Sequence, residues 1–191
     1  MSSHTLAATR SEIGENIASV RGWLYFIGIA SMVLGTAAII YSGTSTIASV
    51  VVLGSILMVF GGLQVVHAFQ VRQWSGFFLY LLDGIIRATI GTLLVFYPGT
   101  GALSLTLVLS FYFVAGGIFK ATASGMLRFP NWGWSVFSGV ISLVLGVMLA
   151  MQWPASGAWF IGFAVGVDLI FYGWALLMFA AAIKNLVASK A

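Results

Sequence analysis

The chain has 191 residues, of which 61% are hydrophobic, 15% aromatic and only 6% charged, and its mean hydropathy is +1.09. A soluble domain carries about 25% charged residues, so these figures exclude a soluble enzyme core, a disordered chain and a coiled coil. The absence of cysteine excludes disulfides, thiolate metal sites and a cysteine nucleophile. Because the basic residues are scattered at loop positions, the net charge of +4 is interpreted as a signal of membrane topology, and no nucleic-acid partner is predicted.

Six apolar runs are long enough to cross a bilayer as helices, which takes about 20 residues each. None of them alternates in the way that the strands of a transmembrane barrel do. The sequence therefore predicts an all-α polytopic membrane protein with six transmembrane helices. The predicted spans are residues 23–41, 46–67, 77–97, 101–119, 132–151 and 158–183.

The basic residues are distributed unevenly between the two sides of these spans. Seven of the eight lie on one side, and the linkers on the other side contain none. The positive-inside rule places both termini in the cytoplasm. The eighth basic residue, Arg87, lies within the third span. The other seven are Arg10, Arg21, Arg72, Lys120, Arg128, Lys184 and Lys190.

The domain organisation follows from the same runs. Residues 1–22 lack the apolar core of a signal peptide and are predicted to form a cytoplasmic segment. Thr9 and Glu12 resemble a capping box at the start of an interfacial helix, with a polar tail over residues 1–10 as the alternative. Residues 23–184 are predicted to form a single six-helix membrane domain, and residues 185–191 a cytoplasmic tail.

Small residues recur through the spans with a period of about 56 residues. Every odd-numbered span contains two glycines seven residues apart, and the even-numbered spans contain a matching pair of small residues. This register predicts three parallel helical-hairpin repeats, covering about residues 23–73, 74–131 and 132–184. Glycines along one stripe let helix backbones approach closely. Helix packing is therefore the role predicted for Gly28, Gly35, Gly84, Gly91, Gly139, Gly146, Gly61, Gly117 and Gly173.

Three charged residues lie inside the predicted spans, where an ionised group is costly unless it is paired or hydrated. Asp83 and Arg87 are four residues apart on the third span and therefore share a helix face. Arg87 and Asp168 are each about 15 Å from the outer end of their span, at 1.5 Å per residue. We expect a buried charge cluster in which Arg87 bridges the two carboxylates. A proton-responsive or ion-handling site and a purely structural clamp both fit this cluster.

Other chemistry is sparse in the sequence. His67 lies near the cytoplasmic end of the second span and is a candidate pH-sensing residue, with an ordinary interfacial histidine as the alternative. No phosphate-binding loop, zinc motif, catalytic triad or metal-ligand cluster is present. The sequence therefore predicts no catalytic residue, no metal and no cofactor, and a protein that is not an enzyme.

One family has a similar repeat outline, in which a tryptophan is followed by two spaced glycines and a proline. The hairpin unit resembles the short repeat of the HdeD-like acid-resistance membrane proteins, which are small bacterial inner-membrane proteins. This resemblance implies a stress-response role in withstanding low pH and brings no catalytic residues with it. The residues that carry it are Trp134, Gly139, Gly146, Trp153, Pro154, Gly166, Asp168 and Gly173.

The leading functional hypothesis is a non-enzymatic inner-membrane protein of the acid-stress type. In this hypothesis, protonation of Asp83 or Asp168 changes helix packing around Arg87. A transporter or channel for protons or a small solute is the first alternative, and a membrane scaffold or assembly subunit is the second. The lipid bilayer is the predicted partner. A homo-oligomer fits the sequence, which does not identify protein partners, a substrate or an ion.

Overall fold

The computed structural model describes residues 3–70, 74–127 and 132–188, and the side chains of residues 22–70, 76–126 and 132–182. Every regular element in these ranges is helical. The six α-helices are α1 Ser3–Ile40, α2 Ser42–Ala68, α3 Trp74–Phe96, α4 Pro98–Leu127, α5 Trp132–Met151 and α6 Phe160–Ala188, and a short 3₁₀ helix, Ala155–Ala158, precedes α6.

The described residues contain six helices that are long and apolar enough to cross a membrane. Their spanning segments are Gly22–Ile40, Ser42–Ala68, Gly76–Phe96, Pro98–Met126, Trp132–Met151 and Phe160–Ala182. Each one overlaps a span expected from hydropathy, so the prediction of an all-α, six-span membrane protein is confirmed.

Helix α1 starts at Ser3 and continues to Ile40 without a break. Thr9 and Glu12 therefore lie inside this helix, and the capping-box prediction is wrong. From Ser3 onward, the backbone of the predicted N-terminal segment is helical, as an interfacial helix requires. The position of that segment in the membrane interface stays a prediction, because the side chains before Gly22 lie outside the described residues.

Two of the uncharged linkers are shorter than the sequence suggests. Only Tyr41 separates α1 from α2, and only Tyr97 separates α3 from α4. The amide of Ser45 donates to the carbonyl of Tyr41 at 2.9 Å, and the amide of Gly101 donates to the carbonyl of Tyr97 at 2.9 Å. Each tyrosine carbonyl therefore accepts the first hydrogen bond of the next helix. Pro98 begins α4, where its missing N–H is tolerated.

Helix α4 also extends further than its predicted span, which ended at residue 119. It continues to Leu127, so Lys120 lies within the helix and not in a linker. The predicted linker residues Arg72 and Arg128, and the tail residue Lys190, lie outside the described residues.

The chain divides into two compact units. The first comprises Met1–Ile40 and Ala164–Ala191, and therefore contains α1 and most of α6. The second comprises Tyr41–Phe163 and contains α2 to α5. Its buried core is small, formed by Val50, Leu94 and Ala102. Most large apolar side chains are exposed on the chain, as expected for helices whose solvent is lipid.

Pairs of glycines hold the helices together in the same way in both units. An added Cβ at Gly91 would lie 2.6 Å from the carbonyl oxygen of Gly54, and one at Gly61 would lie 2.9 Å from that of Gly84. These two crossings pack α2 against α3. The same reciprocal contacts join α4 to α5 through Gly117–Gly139, and α1 to α6 through Gly28–Gly173 and Gly35–Gly166. At the second crossing of α4 and α5, the carbonyl of Ser110 lies against Gly146.

The packed pairs differ from the hairpins of the sequence repeat. A repeat covers an odd helix and the even helix that follows it, whereas the glycines pack an even helix onto the next odd one. Within the second unit, α3 accordingly packs along α2 far more extensively than along α4. The pair formed by α2 and α3 positions the candidate site.

Candidate functional site

Asp83 lies at the centre of a polar contact between α2 and α3. It directly precedes Gly84, and Gln64 follows Gly61 by three residues. Because Gly61 and Gly84 bring the two backbones together, the side chains beside them meet. The amide Nε2 of Gln64 donates to Asp83 Oδ2 at 2.6 Å, and Arg87 Nε donates to the same oxygen at 2.8 Å. Asp83 thus links its own helix to α2.

The ion pair between Asp83 and Arg87 is not enclosed by the protein. The Arg87 side chain is 48% exposed on the chain and that of Asp83 is 42% exposed. Arg87 lies about 14 Å along α3 from the end of that helix at Phe96, at 1.5 Å per residue. The pair is therefore deep within the span.

Asp168, the third member of the predicted cluster, belongs to the other unit. It lies on α6 and is exposed. Within its own unit, the described residues provide no hydrogen-bond or ion-pair partner for its carboxylate. The predicted contact between Asp168 and Arg87 would join the two units and stays a prediction.

A groove of about 460 Å³ opens beside this site, on the side nearer the α2–α3 linker. The His67 ring lies in it and contacts the Tyr80 ring edge-on, with the ring centroids 6.0 Å apart. Gln64 belongs both to the groove and to the contact with Asp83, so the groove reaches the partner of the carboxylate. Its lining residues are Phe60, Leu63, Gln64, Val66, His67, Gln70 and Tyr80.

Two of these polar residues were not identified as site residues from the sequence. Gln64 is uncharged and gives no strong signal by itself, and Tyr80 resembles the other aromatic residues of the spans. A signal for both exists in the spacing. Tyr80 precedes Asp83 by three residues on α3, and Gln64 precedes His67 by three on α2, so each pair shares one helix face. The pH-sensing role of His67 stays a prediction.

The comparison with protein families gives one result. A family described as "Short repeat of unknown function (DUF308)" matches the chain twice, over residues 26–96 and 82–151. The two matches begin 56 residues apart, which is the period of the glycines, and together they cover more than half of the chain. The chain belongs to this family. No curated protein and no solved structure matches it.

Each DUF308 match contains one complete glycine-packed pair. The first match contains α2 and α3, and the second contains α4 and α5. Each match extends from one odd-numbered helix to the next. It therefore contains the contact between an even-numbered helix and the odd-numbered helix that follows, whereas a helical-hairpin repeat ends between these two helices.

The DUF308 repeats differ in the polar residues at their shared crossing. Gln64 of the first match corresponds to Lys120 in the second, and Asp83 corresponds to Ser138. In the second match, Lys120 Nζ donates to Ser138 Oγ at 2.6 Å. In the pair formed by α6 and α1, the residues equivalent to Gln64 and Asp83 are Leu176 and Ile27. Of these three equivalent positions, that of α2 and α3 is the one with a carboxylate.

Across the residues that the structure describes, no group of three or more histidine, aspartate or glutamate side chains is placed to hold a metal ion. The site instead offers a carboxylate, an amide and a guanidinium in direct contact. Such a set can accept or release a proton and can change a helix contact when it does.

Proposed function

We propose that this DUF308 protein is a non-enzymatic protein of the bacterial inner membrane that acts in acid-stress resistance, with both termini in the cytoplasm. Asp83 is its proton-responsive group. One observation carries this proposal: a single carboxylate oxygen accepts hydrogen bonds from both Gln64 of α2 and Arg87 of α3. The similarity of the repeat to the HdeD-like acid-resistance proteins supports the physiological role.

The proposed response follows from the charge of Asp83. The ionised carboxylate balances Arg87 and accepts the hydrogen bond of Gln64. A proton on Asp83 removes the negative charge that balances Arg87 within its own unit, which is unfavourable in an apolar environment. It also weakens the acceptor that Gln64 uses. The contact between α2 and α3 is therefore strongest when Asp83 is ionised, and it loosens as the pH falls.

Other titratable groups near Asp83 define the controls. Helix α2 contributes His67, and α3 itself contributes Tyr80 and Arg87. On α4, the described titratable residues are Tyr112 and Lys120, and Lys120 is hydrogen-bonded to Ser138 of α5. His67 lies in the groove that Gln64 also lines, so His67→Gln separates its contribution from that of Asp83.

A distance measurement tests the response. Because the chain contains no cysteine, spin labels can be attached to Gly62→Cys on α2 and Leu82→Cys on α3, which are both exposed. In nanodiscs we expect the label separation to change between neutral and acidic pH, to stay constant in Asp83→Asn, and to change as before in Ser138→Ala. An identical change in Asp83→Asn would contradict the proposed role of this carboxylate.

A survival assay tests the physiological role. A deletion strain carrying the wild-type gene should survive acid challenge, and the same strain carrying Asp83→Asn should survive poorly at equal membrane abundance. Ser138→Ala, which alters the corresponding crossing of the other repeat, is the matched control and should rescue fully. Full rescue by Asp83→Asn would exclude a role for Asp83 in acid resistance.

A second candidate, a transporter for protons or a small solute, is favoured by the groove that reaches Gln64. Proton flux in reconstituted liposomes tests it. Flux that is present in the wild type and vanishes in Asp83→Asn or Asp168→Asn would favour transport over a conformational response. A wild type without flux, but with the pH-dependent label separation, favours the first proposal.

A further inference from the structure

Two opposite charges inside the spans are exposed on the surface of this chain. Arg87 is 48% exposed and uses only its Nε in the ion pair with Asp83. A guanidinium has five N–H donors, and the described residues provide no partner for its two terminal nitrogens. Asp168 on α6 is also exposed and has no polar partner within its own unit. Arg87 therefore has N–H donors without an acceptor, and Asp168 has carboxylate oxygens without a donor.

The two groups lie at the same level in their helices. Arg87 is about 14 Å from the end of α3 at Phe96, and Asp168 is about 12 Å from the start of α6 at Phe160, at 1.5 Å per residue. Both of these helix ends are on the side opposite the basic residues. Copies of one chain insert with the same orientation, because the same basic residues direct each of them. Neighbouring copies therefore present Arg87 and Asp168 at matching depth.

We propose that a second copy of this chain covers Arg87, and that the partner's Asp168 accepts hydrogen bonds from its terminal nitrogens. The inference rests on the proposed function, since it adds a second carboxylate to the same arginine. Hydrogen bonds between charged groups are stronger than neutral ones, and polar residues promote helix association in membranes. The surrounding surface is apolar, with Ile86 and Ile90 exposed on α3.

Disulfide cross-linking can test the contact without removing either charge. Ile90 follows Arg87 by three residues, and Val165 precedes Asp168 by three, so both lie one turn nearer the outer helix ends. Both are exposed. We expect a chain with Ile90→Cys and a differently tagged chain with Val165→Cys to form a mixed disulfide dimer in membranes. Val108→Cys on α4, about 15 Å from the start of that helix and also exposed, replaces Ile90→Cys in the control.

The role of the charge is tested in the same assay. Asp168→Asn in the chain that carries Val165→Cys should lower the yield of mixed dimer roughly tenfold. A yield no higher than that of the Val108→Cys control, or one unaffected by Asp168→Asn, would overturn the inference. A doubly substituted chain that forms only an internal disulfide would do the same, since Arg87 and Asp168 would then pair within one copy.

This result is separable from the proposed function. The spin-label response of α2 and α3 is measured in nanodiscs that hold a single copy. If it persists there while no cross-link forms in membranes, the inference fails and the proposed function stands. If the cross-link forms and depends on Asp168, but the label separation does not change with pH, the interface is supported and the proposed proton response is wrong.

Discussion

Asp83 accepts its two hydrogen bonds from side chains of very different character. Gln64 is neutral and comes from another helix, whereas Arg87 is charged and comes from the same one. Loss of the amide removes one contact, but loss of the arginine leaves a carboxylate unbalanced within a membrane span. Truncating one partner of a desolvated ion pair costs more than replacing both, because the remaining charge has no compensation.

Arg87→Leu should therefore destabilise the protein more than the double variant Asp83→Asn/Arg87→Leu does. We expect a loss of about 2–3 kcal/mol for the single variant, and recovery of most of it in the double variant. The free energy of unfolding in mixed detergent micelles measures both. Equal losses of unfolding free energy in the single and double variants would show that the Asp83 carboxylate is already neutral or well hydrated.

Neighbouring glycines on α2 provide a second comparison at the level of single residues. An added Cβ at Gly61 would meet the backbone of Ala88 and Gly84, whereas one at Gly62 would meet nothing within 4 Å. Gly61→Ala should cost about 1–3 kcal/mol through overpacking. Gly62→Ala should be neutral or stabilise by up to about 1 kcal/mol, because alanine favours the helix. Thermal unfolding in detergent distinguishes them, and similar midpoints would contradict the close packing of α2 and α3.

At the scale of helices, the start of α6 depends on a side chain from α2. The amide of Gly162 lies in the first turn of α6, where backbone donors have no partner within the helix. It donates to Thr46 Oγ1 at 2.8 Å, and Thr46 is fully buried. Thr106 on α4 is equally buried, but its hydroxyl has no hydrogen-bond partner in the described part of the chain.

These two threonines should respond oppositely to the same substitution. Thr46→Val leaves a buried amide without an acceptor and should cost about 1–3 kcal/mol. Thr106→Val removes an unpaired hydroxyl and should be neutral or stabilising. Unfolding in detergent gives the change in stability, and hydrogen exchange at Gly162 reports the local effect. A larger loss of stability from Thr106→Val than from Thr46→Val would indicate that the Thr106 hydroxyl has a partner such as a bound water.

At the scale of the whole molecule, the side of the membrane that each turn faces follows from the basic residues. Thr44 lies near the turn at Tyr41, which carries no charge, and Gln70 lies two residues beyond the end of α2, near Arg72 in the sequence. Both are exposed. The positive-inside rule places Thr44 outside the cytoplasm and Gln70 inside it.

A membrane-impermeant maleimide should therefore label Thr44→Cys in intact spheroplasts and should label Gln70→Cys only after permeabilisation. The wild-type chain, which contains no cysteine, gives the background. The reverse labelling pattern would show that the topology is the opposite of the predicted one. It would also place the groove beside His67 on the outer side, where it would meet external acid directly.

The sequence predicted the spans well and their ends less well. Each run of apolar residues must form a helix to satisfy its backbone hydrogen bonds in lipid, so length and hydropathy are sufficient to find it. The ends at Tyr41 and Tyr97 were missed because serine, threonine, glycine and proline, which usually indicate a loop, here form the first turns of α2 and α4. Lys120 was likewise assigned to a linker because of its charge.

By itself, the sequence determined six spans, a 56-residue period and the pairing of Asp83 with Arg87 along one helix, since all three depend only on local spacing and polarity. Tertiary structure alone decided which helices the glycines join, and hence that Gln64 donates to Asp83. Spacing identifies the face of a helix that packs but not its partner, because every span has a similar stripe of small residues. The partner is decided by how closely two particular backbones can approach.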